Sequence, residues 1–110
     1  MWQKINKQSE ILLYNCLEKN LTITTAESCT GGMIASSIVS ISGSSTIFKS
    51  SVVTYSNDMK SKILNIPLKL ITKNGAVSNI IAHNMASNVL NVMNADISIA
   101  VTGIAGPSGG

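Results

Sequence analysis

Three short runs rich in β-branched residues, "LTITT" (21–25), "SSVVTY" (50–55) and "DISIAVTG" (96–103), alternate with stretches of helical period. This alternation limits the fold more than any other feature of the chain. Strands separated by helices pair in parallel and bury both faces of their sheet, so the expected class is α/β, with helix layers on both sides. Apolar residues at three and four predict helices over residues 9–19, 31–41 and 79–93, and shorter ones over 60–64 and after Pro67. Asn20 and Gly75 read as stops, Asn57 or Asp58 and Ser78 as N-caps. The third run is apolar on both faces and is therefore expected inside the sheet.

The turn "TTAESCTGG", residues 24–32, follows the first predicted strand and opens the next helix. A strand, tight turn and helix in this order set Ser28, Cys29, Thr30 and Gly31 where unpaired main-chain N–H groups and the helix dipole favour negative charge. Such a turn can hold a phosphate or an acyl-transfer oxyanion, and a hydroxyl within it can attack. The same residues also serve as a helix cap and a tight packing turn. The spacing matches neither a Walker loop nor the Gly-x-Ser-x-Gly elbow.

Two further segments carry polar groups at strand ends. "VVTYSNDMK" offers Tyr55 and Lys60, and a lysine becomes a base near neutrality only when burial or cationic neighbours lower its pKa from ~10.4. "VTGIAGPSGG" offers Thr102 and glycine N–H groups, including those of Gly103 and Gly106, at what should be the same sheet edge. Cys29 lacks a nearby histidine base, and the single histidine, His83, has no second histidine with which to bind a metal.

Composition narrows the classes. With 110 residues, 45% hydrophobic and 12% charged, the chain is expected to be one globular domain, 1–110, without a membrane span or signal peptide, and cytoplasmic. Its net charge is +3, yet all eight cations are scattered lysines and aromatics make up 4%, which argues against nucleic-acid binding. The two cysteines are expected to be reduced thiols.

Taken together, "TAESCTGG", "SGSSTIF", "VVTYSNDMK", "GAVS" and "VTGIAGPSGG" resemble, in order and spacing, the CinA C-terminal family, whose members include nicotinamide mononucleotide deamidases. The resemblance covers about Leu21 to Gly110. It implies a three-layer α/β/α domain that hydrolyses the carboxamide of nicotinamide mononucleotide to the acid and ammonia, with no cofactor and no metal. Carried onto this chain, it makes Ser28 the nucleophile and Tyr55 and Lys60 its activating partners. Glu27, Thr30, Gly31, Thr102, Gly103 and Gly106 become substrate-binding candidates, with Glu27 orienting or accepting a hydrogen bond. Ser50 and Ser51 stand where the family usually has glycine. The family also continues past the Gly-rich motif into further strands, a helix and an active-site arginine, so an incomplete fold lacking the last strands and helix is expected. A second reading is therefore a catalytically inactive remnant that binds nucleotide or self-associates as a homo-oligomer through a bared sheet edge.

Overall fold

The computed structural model describes residues 1–104. The elements run α1 (Trp2–Lys19), β1 (Ile23–Glu27), α2 (Met33–Val39), a 3₁₀ turn (Ser44–Thr46), β2 (Phe48–Val53), α3 (Asn57–Leu64), α4 (Leu68–Asn74), α5 (Asn79–Met93) and β3 (Ile97–Val101). The three strands form a parallel sheet in the order β2-β1-β3.

Strand alternation divides the core into two. On one face Ala26 of β1 joins Leu64, Ile66, Ile71, Ile81, Met85 and Val89, with Ala100 of β3 packed against them. On the other, Ile23 joins Leu13, Cys16, Ile38 and Ile47, with Ile97 and Ile99 alongside. Helices α3, α4 and α5 thus cover one face and α1 and α2 the other, which is the three-layer α/β/α arrangement. β1 lies between the other strands and is buried at every residue.

Several boundaries differ from the sequence reading, each for a local reason. α1 begins at Trp2, since its polar first turns face solvent while Leu13 and Cys16 pack below. α2 starts at Met33 because Gly31 (φ 61°) and Gly32 (φ 102°) take left-handed conformations that no helix interior accepts. α3 is capped by Ser56, whose Oγ accepts from the Met59 N–H at 3.2 Å, and not by Asn57 or Asp58. Asn20, Asn65 and Asn94 all end helices in the left-handed region. β3 is an outer strand among the described residues, not an inner one; it is apolar on both faces because a helix layer covers each.

Parallel strands bring their carboxyl ends to one edge, and the chain leaves β1 toward opposite neighbours through α2 on one face and reaches β3 through α5 on the other. The end of β1 is thus the switch point of the sheet, the place where open α/β sheets bind ligands. Ser28 is the first residue beyond it.

Candidate active site

The Ser28 N–H donates to the Val101 carbonyl at 3.0 Å, extending the β1–β3 ladder by one residue. Consecutive strand residues face opposite ways, so Glu27 and Ser28 diverge: Glu27 turns toward α2 and Ser28 toward α3. There the Lys60 Nζ donates to Ser28 Oγ at 2.9 Å, to the Thr54 carbonyl at 2.8 Å and to the Tyr55 carbonyl at 3.3 Å. Lys60 is 1% exposed. Burial pushes its pKa down from the ordinary lysine range, against an opposing pull from the neighbouring Cys29. Once neutral, the amine keeps two protons for the two carbonyls and turns its lone pair to the Ser28 hydroxyl. This arrangement can take a proton from a serine.

Tyr55 comes to this cluster through its main chain. Its carbonyl accepts from both Lys60 and Ser28, the latter at 3.5 Å, while the residue is 66% exposed and its phenol makes no hydrogen bond to either among the described residues. Ser28 is 5% exposed, whereas Cys29 and Thr30 beyond it and Thr102 and Gly103 beside it are half-buried. The end of β3 closes tightly on the turn: a Cβ on Gly103 would stand 3.0 Å from Cys29 Sγ, so only glycine fits without a shift.

The remaining candidates separate into groups. Glu27 is 0% exposed, and its oxygens accept from Thr25, Thr30, Ile34 and Ala35, so its carboxylate is engaged within the protein as a hydrogen-bond acceptor. The Thr30 hydroxyl is committed to Glu27 at 2.8 Å, and the Gly31 N–H to the Ser28 carbonyl at 3.1 Å. Neither group is free to donate to a ligand. The main-chain N–H groups of Cys29, Thr30 and Gly32 have no protein acceptor among the described residues, so they are able to donate to an anion. Thr102 donates its hydroxyl proton to the Ala76 carbonyl at 2.8 Å and lines a cavity of about 210 Å³ with Ser78 and Asn79 at the start of α5. Gly106 lies outside the described residues.

The sequence reading missed Thr54, whose carbonyl holds Lys60 and whose buried hydroxyl has no partner among the described residues. A main-chain oxygen leaves no trace in sequence, although the end of a parallel strand six residues before a lysine was a usable signal. A concavity of about 440 Å³ lies between α1 and α2 over Ile99 and contains none of the candidate residues. Among the described residues no cluster of three or more His, Cys, Asp or Glu side chains could hold a metal, and no helix is long and apolar enough to cross a membrane.

Comparison with known proteins follows the same outline. Residues 5–110 match the family model of the CinA C-terminal domain. The chain is 52% identical over 100 residues to a CinA-like protein of Prochlorococcus marinus and 51% identical over 102 residues to one of Colwellia psychrerythraea. These matches cover 91% and 93% of this chain and 24% of each relative. Among solved structures, a competence-damaged protein (CinA) superfamily protein of Escherichia coli superposes with a TM-score of 0.93 at 35% identity, covering 96% of this chain and 62% of that one. The competence/damage inducible protein CihA of Agrobacterium tumefaciens superposes with a TM-score of 0.89 at 39% identity, covering 96% of this chain and 64% of that one. The chain thus spans about a quarter of the curated relatives' length and about two-thirds of the solved chains.

Proposed function

The chain belongs to the CinA C-terminal domain family, and from that premise we propose that it is an amidohydrolase that converts nicotinamide mononucleotide to nicotinate mononucleotide and ammonia. Ser28 is the nucleophile and Lys60 its base. The observation that carries this reading is the 2.9 Å contact between a serine hydroxyl at the sheet's switch point and a buried lysine whose other two partners are carbonyls.

Neutral Lys60 removes the Ser28 proton as Oγ bonds to the carboxamide carbon, and the oxyanion that forms is met by the N–H groups of Cys29 and Thr30. The Lys60 ammonium then protonates the nitrogen, the carbon–nitrogen bond breaks and ammonia leaves. Water attacks the remaining ester, giving one proton to Lys60, which passes it to Ser28 Oγ as the acid departs. The residues on hand supply every proton transfer, so this route needs no cofactor. These 110 residues contain no arginine, so within them the substrate phosphate would meet lysine and main-chain N–H groups.

The test is ammonia release from nicotinamide mononucleotide by the full chain and by Ser28→Ala. We expect turnover to fall at least about 10³-fold in the variant. Equal and negligible rates in both would instead favour the second reading, a non-catalytic module. Among the described residues β3 is an outer strand, an edge through which that module would self-associate and elute well above 11.5 kDa.

A further inference from the structure

The turn between β1 and α2 contains a buried charge that the chemistry of Ser28 and Lys60 does not use. Glu27 Oε1 accepts from the Thr30 hydroxyl at 2.8 Å and the Ile34 N–H at 2.9 Å, and Oε2 from the Ala35 N–H at 2.9 Å and the Thr25 hydroxyl at 3.0 Å. Thr25 is on the strand, Thr30 in the middle of the turn, and Ile34 and Ala35 in the first turn of α2. One carboxylate therefore grips both banks of a five-residue turn and its centre. Burial alone would raise its pKa, but these four hydrogen bonds outweigh it and hold the carboxyl below the usual carboxylate range. The exposed amides that begin a helix favour an anion. Here the protein supplies its own, which leaves no room for a substrate phosphate at that end of α2.

Resting on the hydrolase reading above, we propose that Glu27 is a positioning residue: it is the resident anion that sets the 28–32 turn. So set, the turn presents Ser28 Oγ to Lys60 Nζ and leaves the N–H groups of Cys29 and Thr30 free for the oxyanion. Charge matters here, not shape. In Glu27→Gln the side chain keeps its size, but whichever way the amide turns, its NH₂ meets one hydroxyl and one main-chain N–H. The hydroxyl can rotate and accept; the N–H of Ile34 or Ala35 cannot, and loses its acceptor. The turn must then shift beneath the nucleophile.

The experiment uses the full chain as wild type, Ser28→Ala, Glu27→Gln and Val89→Ala, the last a cavity on α5 that destabilises without touching the site. Two rates are measured: ammonia release, resolved into kcat and KM, and labelling of Ser28 by a fluorophosphonate. In the labelling reaction the Oγ–P bond forms as P–F breaks, fluoride leaves and the Ser28 proton passes to Lys60. We expect Glu27→Gln to lower kcat and the labelling rate about 10²-fold with KM within about threefold, the scale of a misplaced nucleophile or a lost oxyanion donor. Val89→Ala should keep both rates per folded molecule. The proposal is overturned if Glu27→Gln stays within about threefold of wild type, if KM rises at constant kcat, or if Val89→Ala loses as much. A wild type that labels at Ser28 but releases no ammonia refutes the substrate reading and leaves Glu27 judged by labelling alone; one that does neither overturns both.

Discussion

Two buried ionisable side chains flank the end of β1, one on each face of the sheet, and they are solvated in opposite ways. Glu27 is surrounded by four donors, two hydroxyls and two main-chain N–H groups, all of which favour its charged form. Lys60 touches two carbonyls and one hydroxyl, so one of its three partners carries a proton that an uncharged amine can remove. A buried charge with a complete set of partners is an anchor. A buried charge whose surroundings also suit its neutral form can exchange protons.

Lys60→Met breaks this comparison most directly. It retains most of the side chain's volume and removes the amine, and we expect kcat for ammonia release to fall about 10³- to 10⁴-fold, within the range of a lost general base. A loss below tenfold would assign the proton transfer elsewhere. In the wild type, kcat/KM should rise with pH through the depressed pKa of Lys60, since only the neutral amine acts.

Stability sharpens the same contrast. Both groups bind protons less readily folded than unfolded, so although their charges are opposite, each makes stability rise with pH. For Glu27 the window runs from its lowered folded pKa up to the ~4.3 of an unfolded chain, and its contribution is complete above that value. For Lys60 the window runs from its lowered folded pKa up to ~10.4, and stability declines as pH falls through it. Urea unfolding across pH should show both slopes, each at most about 1.4 kcal/mol per pH unit. Glu27→Gln should erase the acid one and Lys60→Met the alkaline one. A variant that erases neither would mean that its group is not the one titrating.

How much of this was legible in sequence depends on what carried the signal. The strand and helix order, the caps at Ser78 and Asn20, and the segments holding Ser28 and Lys60 are written in periodicity and turn residues. Glu27 was visible as a carboxylate beside the nucleophile, but only strand parity turns it to the other face, and the strand had been read as ending at Thr25. The helix start was misread because two glycines look like the opening of α2, when their positive φ values make them part of the turn. Tyr55 is expected as an activating partner of Ser28, while the group that meets Lys60 is its carbonyl, which every residue type has.

A smaller effect is expected where β3 meets the turn. Gly103→Ala places a methyl 3.0 Å from Cys29 Sγ, and we expect kcat/KM to fall about tenfold as the turn gives way. Cys29→Ala in the same chain removes the opposing sulfur and should restore most of the loss. Failure of that rescue would show that the glycine is needed for another reason, such as its main-chain N–H.

The mildest change tests the exposed side of the comparison. Tyr55→Phe keeps the carbonyl that holds Lys60 and deletes a hydroxyl with no bond to Ser28 or Lys60 among the described residues. The acidic limb of the pH profile should stay in place, because the group titrating in it is Lys60, and kcat/KM should change by less than about threefold. A limb that moves would instead place the phenol in the proton path once substrate is bound. Lys60 would then hold the serine without deprotonating it, and the two buried charges would be closer in role than their partners suggest.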